Sequence, residues 1–98
     1  MIMEFTFYPY NDKNVAGVEK RWGVYRLADE LKKPVFIGKG NVQKHLQKHL
    51  PSSDAPAEDV KFFSVEYFDS AEEAETAWKE ALEEYRQKHG SLPKYNKK

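Results

Sequence analysis

The middle of this chain holds the side chains that are best suited to chemistry. His45 and His49 are four residues apart, so on a helix they share one face and could bind zinc as a pair, although a third ligand would have to come from elsewhere. Gly38-Lys39-Gly40 precedes them, and the free backbone N–H groups of such a loop can hold an anion where a helix begins. The loop lacks the spacing and the Ser/Thr of a Walker motif. Anion binding is still the stronger of the two predictions, because the histidine pair alone does not complete a zinc site.

These residues need two strands and a helix to position them. Trp22 to Leu27 and Pro34 to Ile37 are rich in strand-forming residues and predict a hairpin, with proline at the first position of its strand, where a missing N–H is tolerated. Asn41 can cap a helix by accepting a hydrogen bond from an early backbone N–H. The apolar residues Val42, Leu46 and Leu50 follow at helical spacing, so we expect a helix from Asn41 to Leu50.

The second half of the chain predicts one more strand and one long helix. Lys61 to Phe68 is rich in aromatic and β-branched residues. Ser70 and Glu73 form a capping-box pair, and Gly90 is a typical C-terminal stop. Between them the apolar residues recur at helical spacing, which predicts Trp78 in the core.

The predicted fold is of the α+β class, in an α/β sandwich arrangement: a small three-stranded, mostly antiparallel sheet flanked by two helices. The length of 98 residues predicts one domain over 1–98. Residues 1–21 are expected to form an N-terminal arm or strand, because Met3 to Tyr8 alternates loosely and Pro9 to Asp12 is turn chemistry.

Charge is unevenly distributed along the chain. The formal net charge is zero, but residues 1–50 carry nine Lys/Arg against five Asp/Glu, and residues 51–98 carry seven against eleven. Proteins that hold nucleic acid through its phosphates usually show a basic excess. Nucleic acid is therefore expected as a partner only through a local patch in the first half.

Other features bound the location of the protein. The chain has no cysteine, which excludes disulfides and thiolate–metal sites and fits a reducing compartment. It contains no run of 18 apolar residues, and its start lacks the basic and apolar regions of a signal peptide. We therefore expect a cytoplasmic protein with no membrane partner, while the oligomeric state stays open.

Two short strings give the sequence a family resemblance. Gly23-Val24-Tyr25 is followed by Phe36-Ile37-Gly38, then by the helix that begins at Asn41, and the chain ends near Pro93-Lys94-Tyr95-Asn96. This order resembles the GIY-YIG family of small nuclease domains. The resemblance covers residues 22–96 and implies a GIY-YIG-like core there, with an activity in which one divalent metal ion cleaves phosphodiester bonds.

Three positions match residues to which the resemblance assigns activation of the water, orientation of the phosphate and binding of the metal. Tyr25 matches the tyrosine of the first motif, which helps to activate the attacking water. Phe36 replaces the tyrosine of the second motif and lacks its hydroxyl. Trp78 replaces the glutamate that holds the metal, and Mg²⁺ or Mn²⁺ needs oxygen ligands that an indole cannot supply.

Three further positions concern the phosphate. His45 replaces the arginine that stabilises it, and free imidazole is mostly neutral at pH 7. His49 matches a histidine often found four residues after that arginine, and Asn96 matches the asparagine that supports the family's site. Tyr25, His45 and His49 are thus expected to be vestiges of a catalytic site.

The resulting hypothesis is a GIY-YIG-like domain that has lost metal-dependent nuclease activity and binds nucleic acid or phosphate weakly. The residues expected to make those contacts are Lys39, Asn41, Lys44, Lys48 and Asn96. No cofactor is expected. An alternative is an active endonuclease, with Mg²⁺ or Mn²⁺ held in a rearranged site by Glu75, which lies about 60° around the helix from Trp78. A second alternative is a protein-interaction module that keeps only the fold.

Overall fold

The computed structural model describes residues 6–48 and 60–96. Within them, four strands and three helices follow one another along the chain. In order they are β1 (Tyr8–Pro9), α1 (Asp12–Ala16), β2 (Trp22–Ala28), β3 (Pro34–Asn41), α2 (Val42–Lys48), β4 (Phe62–Tyr67) and α3 (Ala71–His89).

The strands form one antiparallel sheet in the order β1-β4-β2-β3. The predicted hairpin is β2 and β3, and it continues to Asn41, beyond the predicted end at Ile37. β2 is one of the two inner strands, because β3 pairs with one of its edges and β4 with the other. The α+β class and the antiparallel sheet are thus confirmed.

The predicted strand count of three is wrong. The fourth strand, β1, is only two residues long and pairs Tyr8 with Phe63 and Pro9 with Phe62. A two-residue strand is too short to produce an alternating pattern, so the residues before Pro9 indicate a short strand or arm only loosely.

The helix count of two also falls short, because the turn-like stretch after Pro9 begins helix α1. The side chain of Asn11 accepts a hydrogen bond from the backbone N–H of Asn14 at 2.9 Å, which caps the new helix. The same residue types that favour turns favour helix N-caps. Val15 is fully buried and fixes this short helix against the core.

The two faces of the sheet carry different helices. The main core lies on the face covered by α1 and α2, where Tyr25, Leu46 and Phe63 belong to one buried cluster. α3 packs on the opposite face against β2 and β3, where Val24, Ile37 and Ala74 are buried. The domain is thus a sandwich of helices, sheet and helix.

Helix α3 begins and ends as the sequence predicts. The Ser70 side chain accepts a hydrogen bond from the N–H of Glu73, and the Glu73 carboxylate accepts one from the N–H of Asp69. Gly90 ends the helix in the left-handed conformation, with φ of 79°. Among the described residues, no helix is long and apolar enough to cross a membrane.

Candidate functional site

Two aromatic rings pack closely against glycines of β3. Tyr25 stacks on His45, with ring centroids 5.9 Å apart and planes at 18°. A Cβ at Gly38 would collide with the Tyr25 ring, and one at Gly40 would lie 2.8 Å from His45 Nε2. Gly40 also has φ of 125°, a conformation that other residues rarely adopt. Both glycines are therefore required for this stack of rings.

Tyr25 is a buried residue in this stack. Only 6% of it is exposed, and its ring also contacts Phe36 at a centroid distance of 5.9 Å. Burial raises the pKa of the Tyr25 hydroxyl to about 12. The hydroxyl therefore stays protonated near neutral pH, where it can donate a hydrogen bond but cannot act as a base.

Trp78 and Asn96 meet at the backbone of Ile37. The indole N–H of Trp78 donates to the Ile37 carbonyl at 2.9 Å, and the Asn96 amide nitrogen donates to the same oxygen at 3.0 Å. The Asn96 amide oxygen accepts from the Ile37 N–H at 2.9 Å. Trp78 thus packs against the sheet, but it is half-buried and lies outside the buried core cluster, so the prediction of a core residue is met only in part. Both ends of the Asn96 amide are used to hold the C-terminal segment on β3.

Lys39 lies beside Trp78 and is bound to Glu75. Its ammonium nitrogen is 3.2 Å from a Glu75 carboxylate oxygen and 5.2 Å from the centre of the Trp78 ring. A hydrogen bond from Lys39, and then the charges of Lys39 and Lys79, lower the pKa of the Glu75 carboxyl. The carboxylate that could replace the expected metal ligand is therefore ionised and paired with a cation.

The residues that the sequence assigns to catalysis and to phosphate contacts are divided between the two faces of the sheet. Successive side chains of a strand point to opposite faces. Gly38, paired with Tyr25, lies on the face of α2, whereas Lys39 contacts α3 on the other face. Lys39 is thus separated from the Tyr25–His45 stack by β3 itself.

Helix α2 presents the remaining predicted contacts on its surface. Lys44 and Lys48 are exposed, and neither has an ion-pair partner within residues 6–48 and 60–96. Asn41 accepts a long hydrogen bond, 3.4 Å, from the N–H of Lys44 and so caps the helix as predicted. His49 lies outside the described residues.

No group of three or more His, Cys, Asp or Glu residues is placed to hold a metal ion in the part of the chain that the structure describes. His45 and Glu75 are therefore not part of such a group among the described residues.

A comparison with protein families places this domain. The model of the family described as Domain of unknown function (DUF7508) matches residues 1–88. The chain belongs to the DUF7508 family. The match includes Tyr25, His45 and Trp78, and it ends before Asn96. No curated protein matches the sequence significantly.

The structure of this DUF7508 domain also shows polar contacts that sequence reasoning missed. The Arg26 guanidinium, with 9% of its side chain exposed, lies 2.7 Å from the Glu66 carboxylate beneath α3. Arg26 immediately follows Tyr25 on the strand, so alternation places it on the opposite face. A charged residue within a predicted strand was the available signal, but its partner is 40 residues away and has no sequence signature.

Proposed function

We propose that this chain is a GIY-YIG-like domain without metal-dependent endonuclease activity, and that its α2 surface binds phosphate groups weakly. The phosphate is that of nucleic acid or of a smaller phosphate compound. The environment of Trp78 supports the loss of metal-dependent endonuclease activity. The exposed lysines of α2 support the binding of phosphate. The proposal also retains the expectation of a cytoplasmic protein.

The surroundings of Trp78 favour loss of metal chemistry. At the position where the resemblance implies a carboxylate, an indole donates its N–H to the Ile37 carbonyl. The ammonium group of Lys39 lies over the ring and would repel a divalent cation placed there. Glu75, the nearest substitute, already binds Lys39. A metal would have to displace that lysine to reach the carboxylate.

The α2 surface supports weak phosphate binding. Lys44 and Lys48 are four residues apart and exposed, so their ammonium groups lie on one side of the helix. The half-buried His45 lies on the neighbouring side, held by Tyr25. Compact ammonium charges on a surface bind phosphate through long-range attraction with little geometric selectivity. Such a surface fits a ligand recognised by its phosphates.

The catalytic half of the proposal predicts no cleavage. Purified protein with Mg²⁺ or Mn²⁺ should cleave single-stranded, duplex and branched DNA no faster than background. The reason is that Trp78 stands where a metal-binding carboxylate is needed, and Phe36 lacks a hydroxyl. The measurement is product formation on denaturing gels over several hours, with a metal-free reaction as the reference.

Matched variants distinguish this result from the alternative of a rearranged enzyme. Metal-dependent cutting that disappears in both Tyr25→Phe and Glu75→Ala, but persists in Glu72→Ala on the exposed start of α3, would show an active site built on Glu75. That outcome would overturn the catalytic half of the proposal.

The binding half predicts an effect of the α2 lysines in an NMR titration. Inorganic phosphate and a short oligonucleotide should each give saturable shifts on residues 41–48 at low salt, and the affinity should fall as salt rises. Lys44→Gln combined with Lys48→Gln should weaken oligonucleotide binding roughly three- to tenfold, because two ammonium contacts are lost.

Lys79→Gln is the matched control, because Lys79 is an exposed lysine on α3 beside Glu75. It should leave the oligonucleotide affinity unchanged. The absence of saturable shifts at low salt, or equal weakening by the control, would contradict phosphate binding at α2 and would favour the protein-interaction alternative.

A further inference from the structure

A groove at the hairpin end of the sheet is separate from the α2 surface. It lies between the β2–β3 turn and the segment that follows α3, and it encloses a cavity of about 600 Å³. Its lining includes Leu31, Lys33, Pro34, Lys61, Leu92 and Lys94. Pro34 begins β3 and Asn41 ends it, so this groove and α2 lie at opposite ends of an eight-residue strand, about 23 Å apart.

The turn holds an exposed leucine in a defined position. Leu31 is 85% exposed, the highest value among the exposed large apolar residues that the structure describes. The Asp29 carboxylate accepts hydrogen bonds from the N–H groups of Leu31 at 3.0 Å and of Lys33 at 2.9 Å. Lys32 adopts φ of 62°, which closes the turn in the left-handed conformation. These contacts order the turn before any partner binds, which reduces the entropic cost of binding.

The opposite wall of the groove is also fixed. The Tyr85 hydroxyl donates to the Pro34 carbonyl at 3.4 Å, and the N–H of Tyr95 donates to the Val35 carbonyl at 2.8 Å. These bonds hold α3 and the segment after it against β3. Leu92 therefore faces the turn from an anchored segment.

The groove is basic as well as apolar. Among the residues that the structure describes, three lysines and two acidic residues line it, which gives one net positive charge for this part of the chain. One of those acids, Asp29, turns its carboxylate into the turn, where it accepts two backbone hydrogen bonds. Of the two acidic residues in the described lining, Glu30 is therefore the one whose carboxylate does not accept these turn hydrogen bonds. The groove thus presents a ligand with aliphatic side chains at its centre and with a net positive charge around them.

We propose that this groove docks an acidic peptide segment of a partner protein, with an aliphatic side chain of that segment packed against Leu31, Pro34 and Leu92. The lysines at its rim complement carboxylates on the segment. Within residues 6–48 and 60–96, those that line the groove include no aromatic ring. Single-stranded nucleic acids bind mainly by stacking bases on such rings, so the lining favours a peptide over nucleic acid.

An NMR titration of the full chain tests this proposal. The probe is an end-capped eight-residue peptide of glutamates with two central leucines. We expect saturable shifts on residues 29–35, on Lys61 and on residues 91–94. Leu31→Ser should weaken binding about fivefold or more, because an exposed apolar anchor is lost. Lys33→Gln with Lys61→Gln should weaken it about threefold at low salt. Lys79→Gln, which changes an exposed lysine on α3, should have no effect.

Other probes decide between occupants of the groove. Equal binding of a peptide with glutamine in place of glutamate, or no saturation at millimolar peptide, would overturn the proposal. An oligonucleotide that shifts the same residues as strongly would replace the peptide with nucleic acid. Self-association that Leu31→Ser abolishes in sedimentation experiments would assign the groove to a second copy. Because α2 is probed separately, failure here leaves the phosphate-binding result unaffected.

Discussion

Gly23→Ala should lower the free energy of unfolding by about 3 kcal/mol or more, the upper part of the range for overpacking a core. A Cβ at this position would collide with the carbonyl oxygen of Glu66 and would lie 3.1 Å from Val42 Cγ1. The carbonyl belongs to β4, the strand next to β2, so relief requires the two strands to separate. Movement of a side chain cannot relieve this collision, because the obstructing oxygen belongs to the backbone.

Chemical denaturation with urea measures this effect, and Gly17→Ala is its matched control. A Cβ at Gly17 would meet only the Asn14 carbonyl oxygen at 3.5 Å, which is an ordinary contact. The control should therefore unfold at nearly the wild-type urea concentration. If Gly23→Ala unfolded at the same urea concentration as Gly17→Ala, this would contradict the close approach of Gly23 to the Glu66 carbonyl of β4.

Glu66→Ala should cost about 3 kcal/mol of stability, the lower end of the range for breaking a buried ion pair. It removes the carboxylate that lies 2.7 Å from the Arg26 guanidinium, whereas the guanidinium stays beneath α3. The lower end applies because 31% of the Glu66 side chain is exposed, so water can replace part of the lost interaction.

Two further variants test whether charge is the cause of that loss. Arg26→Met with Glu66→Met removes both charges and should recover much of the lost stability, because an apolar pair needs no compensating ion. Glu83→Ala removes an exposed partner of Arg86 and should barely change the unfolding midpoint. A Glu66→Ala variant as stable as the wild type would contradict the buried pair.

The sequence predicted best those elements whose signals are local. The caps at Ser70 and Gly90 and the apolar spacing between them define α3 almost to the residue. The predicted sheet does not include β1, because a two-residue strand carries no periodicity. The turn-forming residues around Asn11 suit a helix cap equally well, and the buried Val15 decides between the two structures.

The site was less predictable because its contacts are distant in sequence. Strand alternation alone could have placed Lys39 on the opposite face from Tyr25. The pairing of Lys39 with Glu75 depends on how α3 packs across the sheet, and residue spacing does not encode that. The meeting of Trp78 and Asn96 at one carbonyl depends on the same packing.

The amide of Asn96 has a consequence for how this domain meets other chains. β3 is an outer strand of the sheet, and the backbone groups of an outer strand can recruit a strand from another molecule. Asn96 occupies both the N–H and the carbonyl of Ile37, and Tyr95 occupies the carbonyl of Val35. A short segment near the C-terminus thereby blocks the middle of this edge. It protects the domain against sheet-to-sheet aggregation, a role independent of any ligand.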